Sequence, residues 1–165
     1  MSVKLSRRRD TSSFARNTYN KIITMILNKC TFDEAVDGLV TEVRSLLNRK
    51  VPIEDLIITK TLGSSYKSDT FYIKAFADRL EKDGIIISPG DHISFVFVKS
   101  SSKLLVDKMR LAETNVEPID YDYYIEKELM HPINRLFKIA FETDMSGSKR
   151  MRYNSNDNNW IIACV

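Results

Sequence analysis

The chain has 165 residues, 43% hydrophobic and 28% charged, with a formal net charge of +3; that is enough for one domain with a real core and short for two, in the ordinary range of globular chains. No apolar run approaches the roughly 20 residues of a membrane span, and MSVKLSRRRD has no apolar segment behind its charges, so it does not read as a secretory signal. Cys30, Cys164, His92 and His131 are the only cysteines and histidines, too few and too scattered for a zinc site, and a reduced intracellular setting is the simpler reading. The charge is unevenly spread: Met1 to Lys29 carries seven cations against Asp10, a net of +6, which leaves −3 for the remainder.

Asp10 or Thr11 can cap a helix to about Lys29, with Ala15, Tyr19, Ile22, Ile23, Ile26, Leu27 and Cys30 as its apolar stripe. Arg7, Arg8 and Arg9 stand just before that cap, where each opposes the helix macrodipole at a cost of about 0.3 to 1 kcal/mol. A phosphate at this N-terminus would reverse the balance; a solvated basic tail is the equal alternative. Thr31 to Glu34 has the form of a capping box, opening a second helix that buries Phe32, Ala35, Val36, Leu39, Val40, Val43, Leu46 and Leu47. Two helices joined so tightly fold back as an antiparallel hairpin.

Val51 to Glu54 turns the chain, Pro52 barring further helix. Leu56 to Ile58 is expected to be a short strand, with Thr59, Lys60 and Thr61 following where it meets solvent. The loop Gly63 to Ser68, GSSYKS, offers Tyr66, Lys67 and serine hydroxyls that suit a sugar-phosphate backbone and equally an ordinary connector. Tyr72, Phe76, Ala77 and Leu80 mark a third helix with Arg79 projecting away from the stripe, and Gly84 ends it. Ser88 to Asp91 spells a type II turn leading into a strand over His92 to Lys99, with Ile93, Phe95 and Phe97 on one face and Ser94, Val96 and Val98 on the other. His92 reads as a strand-edge residue, and Lys99 to Lys103 as an exposed loop.

Ile119 to Phe141 has the longest unbroken helical pattern. Ile125, Leu129, Ile133, Leu136, Phe137 and Ala140 form its core stripe, while Tyr123, Lys127, His131, Asn134 and Lys138 make a face at once polar, aromatic and cationic. Asp120 is the expected N-cap. Pro132 removes the donor that the Glu128 carbonyl would use, predicting a kink or two short helices meeting at Met130 to Pro132. The tail from Glu142 is rich in Ser, Asn and charge and is expected to be a flexible linker. Its apolar end, WIIACV, either docks on this domain or anchors a partner.

Four blocks, DLIITKTL (Asp55 to Leu62), AFADRL (Ala75 to Leu80), GIIISPGDHISFVFVK (Gly84 to Lys99) and the Ile119 to Phe141 helix, follow in an order and spacing that resemble the C-terminal part of the family B DNA polymerases. SRRRD at Ser6 to Asp10 resembles the segment leaving the palm, and the likeness covers roughly residues 3 to 141. The resemblance implies an α+β, mainly helical fold: a helical thumb domain with an N-terminal helix hairpin and a few short strands. The implied ranges are 1–50 for the palm-exit segment and hairpin, 51–141 for the thumb, and 142–165 for a flexible tail with an apolar end. It also implies a part in DNA replication by binding primer-template duplex, with Arg8, Arg9, Lys60 and Arg79 as phosphate contacts and Tyr66, Lys67 and Tyr123 as weaker ones.

Two-metal nucleotidyl transfer needs carboxylates that hold ions about 3.5 to 4 Å apart. By the resemblance these aspartates lie in upstream palm motifs, and nothing in this chain matches them; Mg2+ would belong to that missing palm, with no cofactor and no catalytic residue expected here. Asp120 and Asp122 read as helix-start acids, and no phosphate-binding Gly-rich loop or nucleophile elbow is present. The implied partners are the duplex, a second chain carrying the palm, and a processivity factor met through the C-terminal tail, inside the cell and, if viral, in host cytoplasm or nucleus. The alternative is a non-catalytic remnant or adaptor that docks on a polymerase core or processivity factor.

Overall fold

The computed structural model describes residues 10–67, 71–141 and 160–165, and is mainly helical with one small three-stranded antiparallel sheet. Two compact units divide it: one holds Ser13–Leu56 with the described residues from Tyr121 onward, the other Ile57–Asp120.

In the first unit, α1 (Ser13–Leu27) and α2 (Phe32–Leu47) form the expected hairpin. The capping box is complete: Glu34 N–H donates to Thr31 Oγ1 at 3.2 Å, and Thr31 N–H to Glu34 Oε2 at 2.8 Å. Gly38 sits where α2 meets α1, since a Cβ there would lie 2.8 Å from Met25 Sδ. Both helices end in Schellman motifs, with Cys30 N–H donating to Met25 O and Lys50 N–H to Ser45 O. The pivots are Lys29 (φ 60°) and Arg49 (φ 57°), side chains in a conformation that ordinarily belongs to glycine. Because the chain leaves the helix there, Leu27 ends 63% exposed, against the expected stripe, and Leu47 lies at the surface; Phe14 and Thr18 join the α1 core instead.

Residues 121–141 pack with this hairpin, and they correct the sequence reading in register. Short α4 (Tyr121–Tyr123) leads into a π-helical stretch, Tyr124–Leu129, and then into α5 (Met130–Phe141). Tyr124 and Ile125 are buried with Leu129 and Met130, five residues on, before the four-residue spacing resumes through Ile133, Asn134, Phe137 and Phe141. That extra residue rotates the helix, so Asn134 turns inward from its expected polar face while Leu136 and Ala140 are only half-buried. Pro132 lies inside one continuous helical run, three residues past the end of the π-helical stretch; in place of a break there is a change of helix type at Leu129 and Met130. Tyr124, fully buried, donates its hydroxyl to Leu56 O at 2.7 Å. Phe32, Phe137 and Phe141 meet edge to face at 5.4 to 5.6 Å.

In the second unit, β1 (Ile58–Thr61), β2 (His92–Phe97) and β3 (Met109–Leu111) pair in that order. The strand expected over Leu56 to Ile58 is displaced along the chain: Leu56 closes a 3-10 turn, Ile53–Leu56, and the pairing segment is Ile58–Thr61. Helix α3 (Tyr72–Lys82) covers one face, Phe76 meeting Phe95 edge-on at 6.0 Å. Gly84 (φ 87°) ends α3 as expected, with Ile85 N–H donating to Leu80 O, and Gly90 (φ 95°) takes the turn's left-handed position, with Asp91 N–H donating to Ser88 O. Ile85 and Ile86 form no strand and are 41% and 76% exposed. Val98 forms a lone bridge to Ile119, and Asp120 pairs with Lys108 at 3.4 Å.

Two stability measurements follow from these placements. Ile125→Ala, at a fully buried position, is expected to cost about 2 to 5 kcal/mol in denaturant unfolding, and Leu136→Ala less than half as much. Arg49→Gly is expected to raise stability by about 0.5 to 1 kcal/mol by removing left-handed strain.

Candidate nucleic-acid interface

The register of β1 on β2 sorts its side chains. Ile58 opposes Phe95 and Lys60 opposes Ile93, so these share the α3-facing side, while Thr59 opposite Ser94 and Thr61 opposite His92 share the other. Lys60 lies at the end of the α3-facing side, where burial by α3 runs out and the residue is half-buried. Its ammonium reaches the first turn of α3, where Nζ donates to the Tyr72 hydroxyl and sits 4.7 Å from the ring centroid.

Tyr72 ends a column of rings. Phe71 lies 5.1 Å from Tyr72 and 5.1 Å from Tyr66, the latter pair stacked at 21°. Tyr66 closes over Gly63, whose N–H donates to the Tyr66 hydroxyl at 2.6 Å, and a Cβ on Gly63 would come within 3.1 Å of that oxygen. The loop Gly63 to Tyr66 is thus folded against the start of α3 by its own tyrosine. Lys67 is exposed on the same loop, next to Tyr66 in sequence.

On the opposite sheet face, Thr59 Oγ1 and Ser94 Oγ lie 2.9 Å apart, and Thr61 Oγ1 and His92 Nδ1 2.8 Å apart. Thr61 and His92 are exposed, while Thr59 and Ser94 are half-buried. His92 is the first residue of the central strand, hydrogen-bonded across the sheet.

The other candidates are dispersed. Arg79 follows Tyr72 on α3 by seven residues, about 10 Å along the axis, and turns to Val106 O (3.1 Å) and Asp107 Oδ1 (3.5 Å). Tyr123 is in the other unit, half-buried on α4 and edge-on to Tyr124 at 6.1 Å. Arg8 and Arg9 lie outside the described residues. The sequence reading did not single out Phe71, nor the Thr59, Thr61, Ser94 and His92 ladder, whose signal was the polar alternation in T-K-T and H-I-S.

Among the described residues no group of three or more His, Cys, Asp or Glu could hold a metal ion, and no helix is long and apolar enough to cross a membrane. Asp120 is bound to Lys108 and Asp122 is exposed. The Cys30 thiol has a displaced titration: burial pushes it above the ordinary value, Glu34 adds to the shift, and its backbone hydrogen bond opposes it. This is the reverse of an activated nucleophile.

Residues 5–140 match the family described as DNA polymerase family B, and the chain belongs to that family. It is 33% identical over 145 residues to a DNA polymerase of Pyramimonas orientalis virus, covering 81% of this chain and 12% of that protein. It is 32% identical over 137 residues to a DNA polymerase of Thermococcus aggregans, covering 79% of this chain and 7% of the relative. The solved family B DNA polymerase of the hyperthermophilic archaeon Pyrobaculum calidifontis superposes with a TM-score of 0.60 at 26% identity, over 79% of this chain and 18% of that one. The chain therefore spans only a small part of the length of these relatives.

With its pKa raised, Cys30 carries less thiolate than a free cysteine near pH 8. Slower iodoacetamide alkylation than a model thiol, followed by mass spectrometry, is the expected outcome; folding stability contributed by the neutral thiol is present below the ordinary thiol pKa and is lost as pH rises through the raised one.

Proposed function

We propose that this chain is the thumb, with the adjoining end of the palm, of a family B DNA polymerase, and that it grips primer-template duplex through phosphate and sugar contacts. The observation that carries the reading is Lys60: in a chain whose residues 5–140 belong to the family, a strand register delivers one ammonium to an aromatic column beside exposed Lys67. A lysine leaning on Tyr72 has already lost part of its rotamer freedom, so less entropy remains to be lost when it meets a phosphate. Arg8 and Arg9, preceding α1, are proposed as further contacts. Arg79, already paired with Asp107, and Tyr123 are weaker ones. Contacts of this kind are independent of base sequence, which suits an enzyme that passes every base pair.

The described residues do not fit a two-metal centre, and no chemical step is assigned to them. Nucleotidyl transfer would need the palm carboxylates of a longer chain or of a partner. A processivity factor and a palm-bearing chain are the further partners this reading implies.

Binding to a fluorescent primer-template, followed by anisotropy across a salt series, tests the grip. If about four to six phosphates are neutralised, log affinity falls with log salt at a slope of about −4 to −5. Lys60→Ala is expected to flatten that slope by about 0.9 with little change in melting temperature. A flat response in the unsubstituted chain would overturn the duplex reading and favour docking on a polymerase core, as a non-catalytic adaptor.

A further inference from the structure

The C-terminal segment is seated like a ligand. α6 (Trp160–Cys164) has five residues, too few to hold helical shape alone in water, so its conformation is imposed by what it touches. Trp160 is 8% exposed and Ile161 fully buried, while Ile162 and Val165 are 37% and 38% exposed; one face is inserted and the other left to solvent. The indole N–H donates to Asn134 Oδ1 at 2.7 Å, and the ring lies 6.1 Å from Phe137 on the same helix. At the other end Arg44 of α2 donates Nη2 to Val165 O at 3.3 Å. Asn134 is 6% exposed, one of few polar side chains in the core, and it is placed inward by the π-helical rotation that precedes α5.

An aliphatic residue in place of Trp160 would fill part of this space but give Asn134 no donor, so the groove discriminates by chemistry as well as by size. Eighteen residues separate Phe141 from Trp160 in the sequence, so α6 is covalently joined to the site it fills and a free segment of the same chemistry must compete with it.

We propose that the α2–α5 groove is a peptide-recognition site for a short helix presenting a tryptophan followed by an aliphatic residue, and that α6 is its tethered occupant, exchangeable with a segment of the same chemistry in trans. While α6 is seated, Trp160 and Ile161 are withheld from any partner; release frees the groove and the two side chains together.

The test uses the full-length chain. Trp160→Ala with Ile161→Ala vacates the groove, and an N-terminally labelled peptide of residues 158–165 is titrated by anisotropy. The peptide is expected to bind the vacated chain at least about tenfold more tightly than the unsubstituted chain, and Asn134→Leu added to the vacated chain should lower affinity by about tenfold. Equal binding to filled and vacated chains, or none to a vacated chain that still melts cooperatively, overturns the proposal. Should the vacated chain fail to fold, Trp160, the only tryptophan, reports directly: Asn134→Leu alone is expected to shift its emission to the red and raise acrylamide quenching severalfold with unchanged far-UV dichroism. Unchanged quenching overturns it.

Discussion

The pairing of β1 on β2 is the constraint on which the candidate interface rests. Because a strand alternates its side chains, the pairing of Lys60 with Ile93 sends the ammonium towards α3 and the hydroxyls of Thr59 and Thr61 to the opposite face. A slip of one residue would exchange the two sets, burying threonines against Phe76 and stranding Lys60 away from Tyr72. The register is held by the apolar residues on the α3 side, Ile58, Ile93, Phe95 and Phe97, all nearly inaccessible to solvent. It is held as well by the turn at Gly90, where Gly90 N–H donates to Leu62 O and Leu62 N–H to Asp91 O.

A second constraint governs the first unit. The π-helical stretch before α5 inserts one residue into the helical period, so two apolar pairs spaced by five can both be buried ahead of a proline. Tyr124 at the start of this stretch donates to the Leu56 carbonyl, and Asn134 beyond it accepts from the Trp160 indole, two buried polar contacts. Both tie distant stretches of sequence to one helix: Tyr124 lies 68 positions along the chain from Leu56, and Trp160 26 positions from Asn134.

These two constraints bear on function differently. The sheet register brings Lys60 to aromatic rings at a surface, an arrangement suited to a nucleic-acid backbone. The helical rotation arranges polar and aromatic groups inside a groove, suited to a peptide. A family B polymerase relative is many times longer than this chain, which covers 12% of the viral relative and 7% of the archaeal one. On the proposed readings the first surface serves a duplex and the second a short helical peptide.

Sequence by itself determined what depends on neighbours in the chain. The capping box at Thr31, the glycine end of α3, the type II turn at Gly90, the hairpin of α1 and α2 and the order of the family's blocks were all legible, because each is set by a few consecutive residues with definite conformational preferences. The inward turn of Asn134, the start of β1 at Ile58 rather than Leu56, and the engagement of Arg79 by Asp107 were decided by tertiary structure. A helical period can absorb an extra residue when burial rewards it, a strand begins where a partner strand is available, and a surface arginine takes the carboxylate that folding brings within reach. None of these partners lies within a helical turn of the residue it redirects, so local pattern could propose the surfaces but not assign their members.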